Sequence, residues 1–119
     1  MSKVLVIDDD RNLANLVREV LEMDGYTPIL RHSGPDGIAY ALKHTPDIIL
    51  CDINIPGVDG YGVLARLRGH AKAADTRFYF FTGEVNLQPH TADGVIAKPF
   101  RVEDLLDTIS GPPLDRRLA

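Results

Sequence analysis

The sequence predicts an α/β domain built on a doubly wound parallel sheet, and three observations carry that expectation. Short apolar runs alternate with segments of helical period along the chain. The runs are continuously apolar rather than alternating, as strands buried on both faces must be. The length of 119 residues suits one domain and leaves no room for a second.

Val4 to Ile7 form the first run and read as a strand. Leu13, Leu16, Val17, Val20 and Leu21 then repeat at helical spacing, so one apolar stripe is expected there, with Gly25 where a C-terminal cap belongs. Tyr26 to Leu30 read as the second strand. Pro28 lacks a ladder donor and assigns that strand to a sheet edge. Ser33-Gly34-Pro35-Asp36 is a helix start, followed by Ile38, Ala39, Ala41 and Leu42. Asp47 to Cys51 form the third strand. The next helix is expected from about Val58 to Arg68, burying Val63, Leu64 and Leu67. Arg77 to Phe81 and Gly94 to Ala97 form the last two strands. A final helix over 101–110 should bury Val102, Leu105, Leu106 and Ile109 before Gly111-Pro112-Pro113 ends it. Residues 1–111 are expected to be the domain, and 112–119, with Arg116 and Arg117, a solvated tail.

Composition removes several function classes. Net charge is −4, against the basic footprint that phosphate-driven nucleic-acid binding needs. No apolar run approaches the ~18 residues of a membrane span, and the N-terminus lacks a signal-peptide pattern. The single cysteine, Cys51, builds no disulfide framework and suits a reducing compartment, so a cytoplasmic location is expected. It reads as a core residue. The four histidines show no metal-ligand spacing and read as surface residues.

In doubly wound sheets the working site lies beyond the carboxyl ends of the strands. Asp8, Asp9 and Asp10 follow the first strand, Asp52 the third, Thr82 the fourth and Lys98 the fifth. These turns converge on one rim. Gathered carboxylates repel unless a cation sits among them, and Mg²⁺ is the hard, oxygen-seeking ion for such a set. Asp52 is then a carboxylate nucleophile able to form an aspartyl phosphate, with Lys98 neutralising charge and the Thr82 hydroxyl donating to a phosphoryl oxygen. Asp10 reads instead as a helix N-cap, and Pro56-Gly57 and Asp59-Gly60 as turn and helix-start residues.

Four pieces taken together resemble the receiver domain of two-component response regulators over residues 3–110. They are the Asp8-Asp9 pair, Asp52-Ile53-Asn54-Ile55-Pro56-Gly57-Val58-Asp59-Gly60, Thr82-Gly83, and Lys98-Pro99-Phe100. The resemblance implies a flavodoxin-like five-stranded sheet in order 2-1-3-4-5. It also implies phosphorylation of Asp52 by a phosphohistidine of a histidine kinase or phosphotransfer protein. Mg²⁺ would be held by Asp9, Asp52 and the main-chain carbonyl of Asn54, with Asp8 acting through water. A cis peptide before Pro99 belongs to the same expectation. The chain would be a signalling domain rather than an enzyme, acting on a downstream protein partner, with no direct contact to nucleic acid or membrane.

Two features depart from the family. Thr82 and Lys98 are sixteen residues apart, roughly half a dozen fewer than the family's usual spacing and more than one helical turn short. Glu84 to Ala92 lack helical period and contain Pro89, so the helix between the fourth and fifth strands is expected to be shortened or absent. Val95 stands where the family usually carries Tyr or Phe, and valine cannot act as that rotamer switch. With no effector segment after the domain, the expected role is a stand-alone relay, phosphate sink or adaptor. Asn54 and Glu84 lie two residues past Asp52 and Thr82 and can orient a hydrolytic water, so a short-lived phosphoryl group is expected. Two competitors are a degenerate receiver that only binds a partner, and a small phosphatase using Asp8 as nucleophile. The intact Asp9, Asp52, Thr82 and Lys98 set opposes the first; chain length and the residues after Asp10 oppose the second.

Overall fold

The computed structural model describes residues 2–111, and the expected tail over 112–119 lies outside them. The order of elements is β1 (Lys3–Ile7), α1 (Arg11–Met23), β2 (Thr27–Arg31), α2 (Gly34–His44), β3 (Ile48–Cys51), α3 (Gly60–Arg68), β4 (Arg77–Thr82), β5 (Gly94–Ala97) and α4 (Val102–Ser110). All five strands are parallel, in the order β2-β1-β3-β4-β5. Pro28 therefore lies on an edge strand, as its missing donor requires.

Side chains alternate between two apolar layers because successive strand residues point to opposite faces. Leu5, Ile7, Ile49, Cys51, Phe78 and Phe80 pack with α2 and α3. Val4, Val6, Leu50, Tyr79, Phe81 and Ile96 pack with α1 and α4. Three of the four helices, α1, α2 and α3, start where a capping side chain is written. Asp10 accepts from Leu13 N at 3.1 Å, Ser33 from Asp36 N at 3.3 Å, and Asp59 from Gly62 N at 2.9 Å. Gly25 follows α1 with φ of +87°, a left-handed turn that favours glycine. Among the described residues, no helix is long and apolar enough to cross a membrane.

Two residues expected in the core are not there. Leu16 is 49% exposed and Val102 46%. At about 100° per residue, Leu16 lies farther from the centre of the α1 stripe than Ala14, which is fully buried in its place. Val102 opens α4, at the exposed end of that helix.

Residues 83–93 contain no helix, so β4 and β5 are joined by a loop. Side chains hold it in place. Tyr61 Oη accepts from Gln88 N at 2.9 Å, and the His90 ring meets Phe80 edge-on at 5.0 Å. The buried Asp93 carboxylate accepts from Phe78 N at 2.8 Å and from Arg68 at 3.1 Å, while Arg68 also donates to the Thr76 carbonyl at 2.6 Å. These bonds satisfy buried polar groups without the missing helix.

Candidate functional site

The parallel sheet brings the ends of β1, β3, β4 and β5 to one rim, where the side chains of Asp8, Asp9, Asp52 and Lys98 meet. One carboxylate oxygen each of Asp8, Asp9 and Asp52 can be chosen so that all lie within 4.8 Å of one another. Asp8 is 1% exposed, Asp52 half-buried and Asp9 exposed.

Lys98 closes this group from the end of β5. Its Nζ donates to Asp8 Oδ2 at 2.7 Å and to Asp52 Oδ2 at 2.9 Å, and it rests 4.9 Å from the Phe81 ring centroid. The Lys98-Pro99 peptide is cis, matching the expectation. The remaining oxygens are also engaged. Asp8 Oδ1 accepts from Asp10 N at 3.0 Å, and Asp52 Oδ1 from Ile53 N at 2.7 Å.

Burial drives the Asp8 carboxyl above its ordinary 3.8, although Lys98 and the Asp10 amide act against the shift. Burial pulls the Lys98 ammonium down. Hydrogen bonds to Asp8 and Asp52, and their charges, outweigh it and hold the group above 10.5. Two carboxylates thus share one ammonium, and the set retains excess negative charge. Its donors are oxygens only, which suits a hard cation such as Mg²⁺ rather than zinc. Burial, reinforced by Asp52, raises the Cys51 thiol well above its usual range. Cys51 is a packed, protonated core residue, as expected.

Thr82 ends β4 and is 1% exposed. Its Oγ1 accepts from Glu84 N at 3.2 Å. Asn54 Nδ2 donates to Glu84 Oε1 at 2.6 Å, so the loops after β3 and β4 are tied together beside Asp52. The sequence placed both residues near the site but not in contact with each other.

His32 was expected at the surface and is partly buried instead. Its Nδ1 lies 2.9 Å from the Asp8 carbonyl, while Asp8 N donates to Arg31 O at 3.0 Å. Arg31 and His32 thus hold the Asp8 main chain from both sides. The signal was available: His32 directly follows β2 on the same rim.

Beside the site, Leu13, Leu16 and Val20 of α1 face Pro99, Phe100 and Val102 across an open apolar groove of about 510 Å³ that reaches Lys98.

A family model for the response regulator receiver domain matches residues 4–110. Over 112 residues the chain is 37% identical to the DNA-binding dual master transcriptional regulator RpaA of Synechocystis, covering 89% of this chain and 46% of that protein. It is 30% identical over 115 residues to response regulator ArlR of Staphylococcus saprophyticus, covering 92% of this chain and 51% of the relative. The chain spans about half the length of the curated relatives it matches, and the expectation of a stand-alone domain gains no support from them. Among solved structures, the chemotaxis response regulator CheY4 of Vibrio cholerae superposes with a TM-score of 0.86 at 28% identity, covering 92% of this chain and 97% of that one. Fold, rim residues and family match agree, and the chain belongs to the response regulator receiver domains of two-component signalling.

Proposed function

We propose that this domain takes a phosphoryl group on Asp52 from a phosphohistidine of a histidine kinase or phosphotransfer protein, with Mg²⁺ bound, and that the modified state is read by a downstream protein. The observation that carries the reading is the meeting of the Asp8, Asp9 and Asp52 carboxylates with Lys98 at one rim. A carboxylate oxygen of Asp52 attacks phosphorus; the P–N bond of the donor breaks as the P–O bond forms, and the electron pair leaves with the imidazole. Such transfer depends on positioning and on neutralised charge.

Asp9, Asp52 and the Asn54 carbonyl would hold Mg²⁺ directly, with Asp8 acting through water. When bound, the ion would supply charge neutralisation for the incoming phosphoryl group. Lys98 is already directed at Asp52 and provides a second positive charge. The Thr82 hydroxyl, now an acceptor from Glu84 N, turns to donate to the added phosphoryl group and draws its loop inward. The acidic balance of the chain opposes direct contact with nucleic acid. The protonated, buried Cys51 is compatible with a reducing, cytoplasmic setting. Incubation with acetyl phosphate and Mg²⁺ should add one phosphoryl group by mass, and no increase would contradict the proposal.

A histidine donor must bring its ring to Asp52, so its surface has to cover this rim. The apolar groove with the exposed Leu16 and Val102 is the adjoining surface available to it. Leu16→Glu should slow transfer from a phosphorylated protein donor roughly tenfold and leave acetyl phosphate labelling unchanged. Equal loss with both donors would place the defect in the site and not in docking.

The Asn54–Glu84 bond presents an amide and a carboxylate beside Asp52 that can orient attacking water. The phosphoryl group should therefore be short-lived, and Asn54→Ala should lengthen its life several-fold. Loss of labelled phosphate from the isolated protein is the measurement. A label stable over many hours, and indifferent to Asn54→Ala, would contradict this.

A further inference from the structure

β5 pairs with β4 on one side, and among the described residues no strand lies on its other side. Such an edge presents unpaired N–H and C=O groups to any extended chain that reaches it. Loop 83–93 packs its Leu87 into the layer around Phe80, touches the Phe80 ring with the exposed His90, and leaves Val95 39% exposed and Ala97 exposed. Ile96, between them, is buried on the opposite face against α4.

A groove of about 350 Å³ runs beside this strand. It is lined by Val95, Ile96 and Ala97 on one flank and by Asp104, Asp107 and Thr108 of α4 on the other. Successive strand side chains alternate between faces. A groove touching three in a row therefore follows the edge of the strand and does not cover one face of the sheet. Thr108 Oγ1 donates back to the Asp104 carbonyl at 2.7 Å and is occupied. The Asp104 and Asp107 carboxylates are exposed, and among the described residues neither forms an ion pair, whereas the neighbouring Glu103 faces Arg101 at 3.8 Å.

We propose that the outer edge of β5 accepts an extended basic segment of a partner protein as an added strand. Its main chain bonds the free edge, its cationic side chains face Asp104 and Asp107, and an apolar side chain covers Val95. Charge selects this occupant. A second copy of the chain would bring its own Asp104 and Asp107 to the same edge, and an acidic segment would repeat the repulsion. No step of this binding uses Asp52, so it stands or falls separately from phosphorylation.

The probe is a fluorescein-labelled peptide of about six residues alternating arginine and valine, titrated into the full chain at physiological salt and followed by anisotropy. Wild-type protein should bind it. Binding should weaken about tenfold or more for the same peptide with alternate backbone nitrogens methylated, and by a similar factor for the Asp104→Asn/Asp107→Asn protein. Both replaced residues are exposed, so the variant should melt with the wild type. A peptide alternating glutamate and valine should not bind. Equal affinity for the methylated peptide would reduce the contact to charge alone, and unchanged affinity of the variant would place it elsewhere. Either result overturns the proposal. So does absence of binding up to about 1 mM peptide, or a concentration-dependent dimer that the basic peptide fails to dissociate.

Discussion

Asp52→Asn should lower phosphoryl incorporation from acetyl phosphate by at least about 100-fold, because an amide oxygen is no nucleophile for this transfer. The replacement keeps the shape of the side chain and one of its two acceptors. Asp52 Oδ1 and Oδ2 accept from Ile53 N and Lys98 respectively, so one of these bonds is lost. Lys98 keeps its 2.7 Å bond to Asp8. The cost in stability should be about 1 kcal/mol, small enough for the variant to remain folded at room temperature. A thermal melt beside the labelling experiment separates the two effects. Retained labelling in a folded Asp52→Asn protein would move the acceptor to another carboxylate, Asp8 or Asp9 being the neighbours in reach.

The second large effect is a change of sign at Asp8. In metal-free protein the Asp8 carboxyl titrates above its unfolded value of 3.8, with burial as the leading cause. An acid with a raised folded pKa favours folding when protonated and opposes it when charged. At pH 7 the charged Asp8 therefore costs stability, and Asp8→Asn should melt higher than wild type without metal. That advantage should shrink as pH falls through the folded pKa of Asp8, where the wild type sheds the same charge. Lys98 adds no pH dependence of its own in this acid range. Its raised pKa gives stability that is fully present below 10.5 and is lost only as pH rises through the folded value. Mg²⁺ should reverse the order. Ligand at 100 times its dissociation constant stabilises by about 2.7 kcal/mol, and the variant, short of one carboxylate, should bind the ion about tenfold or more weakly. Saturating Mg²⁺ should then raise the melting temperature of wild type well above the small rise in Asp8→Asn. Equal rises in both proteins would remove Asp8 from the metal site.

The architecture was legible because backbone chemistry and burial leave marks on single residues. Continuous runs such as Val4 to Ile7 mark a strand covered on both faces. Asp10 and Ser33 are written where a cap must accept an amide proton. The loss of the helix after β4 was readable from chain length and Pro89, since too few residues remain for it. Rim residues were readable because parallel topology sends every strand end to the same side. Tertiary neighbours left no such mark. The exposure of Leu16 and Val102 depends on which arc of α1 and which end of α4 meet the sheet, and an apolar stripe alone does not fix that. The buried Arg68–Asp93 pair joins residues more than twenty positions apart. Neither side chain of such a pair carries a local signal of its partner. Asn54 and Glu84 fall between these cases: their offsets from Asp52 and Thr82 were readable, their mutual bond was not.

The most direct measurement of the central claim is chemical trapping of the modified residue in wild-type protein. After incubation with acetyl phosphate, borohydride reduces an aspartyl phosphate to homoserine, which tandem mass spectrometry assigns to one position. Homoserine at position 52, formed with Mg²⁺ and absent when the ion is chelated, is the predicted result. Homoserine at position 8 or 9, or at position 52 regardless of the metal, would contradict the chemistry assigned to this rim.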